Sequence, residues 1–475
     1  APGLTLADRR HQRHEQLQLG IEDMTSIDPT HSLPFDHANP EDSGESPDIP
    51  LPRVLFVSVN PFSDTSNNGK TFASFFKGYP RDSLAQLYFH REIPSSEVCE
   101  NYYRITDEDI LSNLLRPWRA TGERVTSLAS ATSPIPTQAH TVLKGSQTAR
   151  LLRQALWTQV RVQNEQLLDW LDAFAPEIIF FCGGDAAALY PKVTALRDRY
   201  GARMAFYITD DYVLPLATKN LAVRVMRSWT RQVFQDVTSN ADIVLTIGEH
   251  MSRAYKREFG FDSIPLMNMV ELPPAMPPPT VRKSDRTLTL LYAGSTHSNR
   301  WKILSQIADS IERLAGGGVS ARLLIYGPNP DAEALTAVDR PPFSEYRGLL
   351  SPNEINAAIS KADVLVHVES DDPASIAATT LSVSTKIPEY LASGRSILAI
   401  GPRGLASIEY LAQHGAALLV EPRHPEGLDN AIDALAGSPG IRFELSMRGF
   451  ELASTNHDGL KTRRSLWHRL QRLVA

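Results

Sequence analysis

The chain has 475 residues, of which 42% are hydrophobic and 21% charged, the balance of a soluble globular protein; at roughly 150 residues per domain it holds about two to three domains. Lys and Arg number 48 against 54 Asp and Glu, a formal net charge of −6, which excludes a protein whose main work is coating nucleic acid, since that needs a basic surface. The two cysteines, Cys99 and Cys182, are too few for a disulfide framework and fit a reducing compartment, and with no long apolar run or signal-peptide core the expectation is a cytoplasmic protein.

Residues 1–52 read as an irregular leader, because the stretch 28–52 is rich in Pro, Asp and Ser and offers little to bury. The first strand is Val54 to Val59 (VLFVSV), a nearly continuous apolar run of the kind buried in parallel sheets. A polar loop, NPFSDTSNNGKT, follows, and then a helical pattern, FASFFKGY. Further strands read at Glu177 to Cys182, Arg203 to Ile208 and Asp242 to Ile247, with helical patterns over 146–174, 186–200 and 221–237. This alternation predicts βαβ units in a first domain over 53–272.

Five prolines between Pro273 and Pro279 then break the pattern, since proline can continue neither a helix nor a central strand. A second α/β series over 286–440 has strands at Thr287 to Tyr292, Arg322 to Tyr326, Asp363 to Val368, Ser396 to Ile400 and Ala417 to Val420. Residues 441–475 read as helix, with Arg463, Arg464, Arg469 and Arg472 on a basic amphipathic stretch. The predicted fold class is α/β, with two Rossmann-like domains facing a cleft, and ligands belong beyond the carboxyl ends of the strands.

The richest segment for chemistry is SVSTKIPEYLASG, 382–394. Ser384 and Thr385 are expected to cap a helix that carries Pro388 in its first turn. Lys386 adds a positive charge to the anion-favouring helix start, and Glu389 offers a carboxylate to paired sugar hydroxyls. The competing reading is an ordinary capped surface helix. Gly69, Lys70 and Thr71 match the end of a phosphate-binding P-loop, but Asp64 stands where its first glycine belongs and would repel a triphosphate. Gly183 and Gly184 read as a tight turn. Lys219, Arg224, Arg227 and Arg231 make one helix basic, which is a solvated face or a contact for an anionic acceptor or lipid surface.

Several segments together resemble the donor half of retaining GT-B nucleotide-sugar glycosyltransferases, family 4-like: LLYAGSTHSNRWK, LLIYGP, FSEYRGLLSPNEI, ADVLVHVES and TKIPEYLASGRSILAIGP, in that order over roughly 150 residues. The first half matches more loosely through SVNP with NNG, the strand ending in TDDY, and ADIVLTIGEHMSRAYKREFG. The resemblance implies transfer of a sugar from a nucleoside-diphosphate sugar to a hydroxyl of a glycan, lipid-linked or small-molecule acceptor, with retention, as in polysaccharide biosynthesis. It implies no protein-held metal or cofactor and no nucleic-acid partner. It makes the basic helices candidates for a peripheral contact with an anionic acceptor or the inner membrane face, and it has the closing helices return to the first domain.

Residue by residue, the resemblance places Glu389 on the nucleotide ribose and Arg300 or Lys302, after Gly294, on the donor diphosphate. Gly69 matches a glycine loop of the first domain, Arg347 and Gly348 a loop that packs on the base, and Asp210 and Asp211 a position beside the transferred sugar. The chain departs from the pattern twice: Leu381 stands eight residues before Glu389, where members carry a second glutamate, and Asp210 replaces a histidine. Asp371 and Asp372 are candidate substitutes for that glutamate. A nucleotide-sugar 2-epimerase shares the double-Rossmann architecture and is one alternative; a non-catalytic GT-B-like binding subunit is the other.

Overall fold

The computed structural model describes residues 50–64, 67–115, 121–125, 147–159, 164–216, 218–278, 287–422 and 424–475. The leader over 1–49 and the end of the proline linker, 279–286, lie outside the described residues. The described chain divides into two compact units. An N-terminal unit comprises Ile49–Glu271, Ala377–Thr385 and His457–Ala475, and a C-terminal unit holds Leu272–Ile376 and Lys386–Asn456.

The N-terminal unit is built on eight strands: β1 (Val54–Ser58), β2 (Leu84–Tyr88), β3 (Asn101–Arg104), β4 (Glu123–Val125), β5 (Ile178–Cys182), β6 (Arg203–Ile208), β7 (Ile243–Thr246) and β8 (Ile264–Pro265). They lie in the order β4-β3-β2-β1-β5-β6-β7-β8, and only β3 with β4 is antiparallel. The apolar runs explain the centre of this sheet: β1, β2 and β5 are buried at every position. On β1, Phe56 packs against Phe62, Phe72 and Phe180 at ring separations of 5.0 to 5.2 Å. Burying each such ring contributes about 1.5–3 kcal/mol.

Five strands went unread in the sequence, β2, β3, β4, β8 and, in the C-terminal unit, Ser344–Tyr346, because they are short or carry polar residues. In β2 the polar residue is Gln86, fully buried. Its amide donates to Ser58 Oγ and to the Asn60 carbonyl while its oxygen accepts from Phe62 N–H, so a polar side chain in a central strand is satisfied by the loop after β1. The helical pattern over 146–174 resolves into two helices, Gln147–Gln159 and Glu165–Phe174.

The C-terminal unit has six parallel strands, β9 (Leu288–Ala293), β10 (Ala321–Tyr326), β11 (Ser344–Tyr346), β12 (Val364–Val368), β13 (Ser396–Ile400) and β14 (Leu418–Val420), in the order β11-β10-β9-β12-β13-β14. The chain winds outward from β9 in one direction and from β12 in the other, so the order reverses between them. In the N-terminal sheet the same reversal falls between β1 and β5. These are the switch points beyond which α/β sheets bind ligands.

The helix Pro439–Asn456 stays in the C-terminal unit, and the chain returns to the N-terminal unit at His457 rather than at 441. The last helix, Gly459–Val474, is capped by Asp458. Arg463 from this helix pairs with Glu271 at 2.8 Å, and Trp467 Nε1 donates to the Phe75 carbonyl. Residues Ala377–Thr385 also belong to the N-terminal unit, although 376 and 386 on either side belong to the other. Leu381 is one of its core residues.

Candidate functional site

In the C-terminal unit, three chain segments meet beyond the carboxyl ends of β9 and β12. The first is the loop from Gly294 to Asn299, which turns through two left-handed residues, Ser298 (φ 58°) and Asn299 (φ 59°), into the helix Arg300–Ala315. That conformation is common for asparagine but unusual for serine. The second segment is Glu369, directly after β12. The third is the turn before the short helix Ile387–Ala392, with Lys386 at its N-cap and Glu389 in its first turn. That helix begins later than Ser384 and Thr385 suggested; both precede the cap, and Pro388 does occupy the first turn.

Arg300 stands at the first position of its helix. Its Nε donates to the Val368 carbonyl at 3.2 Å and its Nη2 to Glu369 Oε2 at 3.1 Å. Lys386 reaches over Tyr292, with Nζ 5.9 Å from the ring centroid. Gly294 makes room for both: a Cβ there would stand 2.5 Å from Lys386 Nζ and 2.7 Å from the Tyr292 hydroxyl. Burial pushes the Lys386 ammonium down to about 8, with the Arg300 charge adding to the effect and Glu389 and Glu369 opposing it. Lys302, by contrast, is exposed and lies over Trp301, so of the two cations proposed from sequence Arg300 is the one built into this cluster.

Of Glu369 and His367, the sequence reading left Glu369 unread, although a charged residue ending an apolar central strand is the signal that could have found it. Both are buried. His367 Nε2 lies 3.2 Å from Glu369 Oε1, within ion-pair distance but off the line of a hydrogen bond. Burial acts to raise the Glu369 carboxyl, but His367 and Arg300 outweigh it and hold it at about 2, against an ordinary 4.5. A carboxyl depressed in this way stabilises the fold fully above pH 4.5, and that contribution is lost as pH falls through about 2. Glu369→Gln is therefore expected to flatten the acid limb of the stability curve between those two values, measured by denaturant titration at stepped pH.

Asp372, one candidate substitute for the missing glutamate, caps a neighbouring helix by accepting from Ser375 N–H. Arg347 is exposed and paired with Glu345 at 2.6 Å, and Gly348 (φ 77°) accepts from Gly327 N–H. Both follow β11 and lie on the same carboxyl edge of the sheet.

The N-terminal unit holds the remaining candidates. Asp210 follows β6, and its carboxylate accepts from Ser382 Oγ at 2.9 Å and from the Tyr212 hydroxyl at 3.3 Å. With Gly184, Thr209, Tyr212 and Tyr255 it lines a narrow recess. Asp211 is engaged on every side. It pairs with Arg227 at 2.5 Å and accepts from the Tyr255 hydroxyl and the backbone N–H of Val213 and Leu214, which is the geometry of a residue that holds a loop. Arg231 likewise pairs with Glu258 and covers Phe259. The helix Leu221–Asn240 thus turns Arg227 and Arg231 inward and leaves Arg224 exposed, while Lys219, also exposed, precedes it. Gly69 lies inside the helix Asn67–Phe75, where a Cβ would stand 2.5 Å from the Pro61 carbonyl. Its missing side chain is used for packing that helix on the loop after β1.

Residues 287–438 match the family of group 1 glycosyl transferases. This segment, about a third of the chain, is a group 1 glycosyl transferase domain. The two-sheet architecture is that of GT-B enzymes, and the chain carries a glycosyl transferase domain. Sucrose-phosphate synthase from Thermosynechococcus elongatus is 13% identical, with a TM-score of 0.58 over 88% of this chain and 98% of its own. The Anabaena protein HepE, solved in complex with UDP, is 12% identical, with a TM-score of 0.57 over 88% of this chain and 100% of its own. An α,α-trehalose 6-phosphate synthase from Burkholderia multivorans is 12% identical, with a TM-score of 0.56 over 89% and 97%. No curated protein matches the chain by sequence. Among its described residues no helix is long and apolar enough to cross a membrane, and no group of three or more His, Cys, Asp or Glu is arranged around a metal position.

Proposed function

We propose that this protein moves a sugar from a nucleoside-diphosphate sugar to a hydroxyl acceptor with retention, and that Arg300 and Lys386 bind the donor diphosphate. The observation that carries the reading is the convergence of those two cations beside Gly294 at the β9–β12 switch point. Departure of the nucleoside diphosphate builds negative charge on its outer phosphate, and fixed cations there stabilise the transition state. Donor and acceptor held together react as one molecule, which removes much of the entropic barrier. A structural neighbour solved with UDP supports the nucleotide class. The acceptor is a glycan, lipid-linked or small-molecule hydroxyl in the cytoplasm. The test is product analysis with nucleotide sugars: a new glycoside bearing the donor's anomeric configuration is expected. A donor converted without any acceptor would identify an epimerase instead.

Glu389 is proposed to hold the ribose hydroxyls. Glu389→Ala is then expected to weaken nucleoside-diphosphate binding by on the order of 1.5–3 kcal/mol, the cost of losing a charged hydrogen-bond partner, with the fold intact. Calorimetry showing wild-type affinity would remove Glu389 from the site.

The Lys386 ammonium gives the site a pH signature. At pH below about 8 it is charged in the free enzyme; above that value it must take up a proton to meet a phosphate. Diphosphate affinity should be flat on the acid side and fall by up to about tenfold per pH unit on the alkaline side. In Lys386→Met this slope should be absent. Equal slopes in the two proteins would rule out Lys386 as the phosphate cation.

A further inference from the structure

We infer that Glu369 is a positioning residue for Arg300, holding one edge of the guanidinium so that the other faces the donor diphosphate. The inference rests on the phosphate reading given above and adds a residue to it.

Glu369 is 3% exposed, and its own backbone N–H donates to the Ile400 carbonyl at 2.8 Å, which fixes it to the neighbouring strand. Its carboxylate lies between two partners: Oε2 accepts from Arg300 Nη2 at 3.1 Å, and Oε1 lies 3.2 Å from His367 Nε2. Arg300 Nε donates to the carbonyl of Val368, the residue just before. The Nε–Nη2 edge of the guanidinium is therefore held at two points by the end of one rigid strand. Nη1 makes no hydrogen bond among the described residues, and the side chain is 26% exposed. A guanidinium carries five N–H donors in one plane, and a phosphate is gripped best by two of them in parallel. Clamping one edge fixes the plane, and with it the direction in which the remaining donors point.

A buried ion pair is weak evidence for stability, because the cost of desolvating both charges offsets most of their attraction. Fixed orientation is what such a pair adds that an apolar replacement would lack. The carboxylate also cancels one positive charge beside the phosphate position, so Lys386 is left to supply the net charge while Arg300 supplies direction.

The test is a double-mutant cycle on the full chain, with Glu369→Gln, Arg300→Ala and the double variant. Binding of uridine, guanosine and adenosine diphosphate is followed by calorimetry, and folding by thermal unfolding. Each single change is expected to weaken the diphosphate that binds by about tenfold or more. In the Arg300→Ala background, Glu369→Gln should have no further effect, since there is no guanidinium left to orient. If Glu369→Gln weakens binding equally with and without Arg300, or leaves wild-type affinity, the positioning role is overturned. If Arg300→Ala itself binds as wild type does, the phosphate reading fails first. Should Glu369→Gln not fold, Glu369→Asp keeps the charge and draws the carboxylate back from Arg300. The same loss of affinity supports the role, and unchanged affinity overturns it.

Discussion

Arg300→Ala is expected to lower kcat/KM by about 10²–10³-fold, the range found when one fixed donor to a developing anion is removed, while Lys302→Ala stays within about twofold of wild type, as surface changes do. The two residues are two positions apart on one helix and carry the same charge, so charge alone does not separate them. Position does. Arg300 is held by Glu369 and the Val368 carbonyl at the end of the central strand, and Lys302 is exposed over Trp301. A cation stabilises a leaving phosphate to the extent that it is already in place when the charge develops, since a solvated side chain must first give up its water and its freedom. Steady-state kinetics at saturating acceptor check this. Full activity in Arg300→Ala would move the phosphate site away from this loop, and an equal loss in Lys302→Ala would overturn the choice of Arg300 over Lys302.

The fold was legible where burial leaves a simple imprint. Runs such as VLFVS and SILAI, buried at every position, can be little other than central parallel strands, and the proline cluster after Glu271 stands where the chain changes units. The candidate site was legible in part, because Lys386 and Glu389 lie close together in sequence, next to a proline in the first turn of a helix. What stayed hidden depended on partners distant in sequence. Glu369 looks like any polar residue after a strand until Arg300, in a different βα loop, is seen to bind it. Asp210 and Asp211 are neighbours of the same type with opposite fates: one lines a recess, and the other is consumed by Arg227 and Tyr255. Ser382, inside a segment that reads as part of the second domain, belongs to the N-terminal unit and donates to Asp210. No periodicity records a partner 172 residues away.

Gly327→Ala is expected to cost about 3 kcal/mol, the upper end for forcing extra volume into a packed site, and to weaken diphosphate binding with it. Gly327 follows β10 directly. A Cβ there would stand 2.0 Å from the Gly294 carbonyl oxygen and 2.9 Å from its carbon. The obstacle is backbone, so no side chain can swing aside. The strand ends must part instead, and the bond between Gly294 N–H and the Tyr326 carbonyl, 2.8 Å long, is the one that holds them together. Gly294 begins the loop that delivers Arg300, and it also leaves the space that Lys386 Nζ enters, so the same displacement disturbs both cations proposed to bind the phosphate. Gly318→Ala is the control. Gly318 has φ 84° but no atom within 4 Å of its Cβ position, so it should cost only about 1 kcal/mol of backbone strain and leave binding untouched. Urea unfolding with an unchanged m-value gives the stabilities, and calorimetry the affinities. A Gly327→Ala protein within about 0.5 kcal/mol of wild type would show that β9 and β10 part without loss, and that the loop before Arg300 is not held by their close approach.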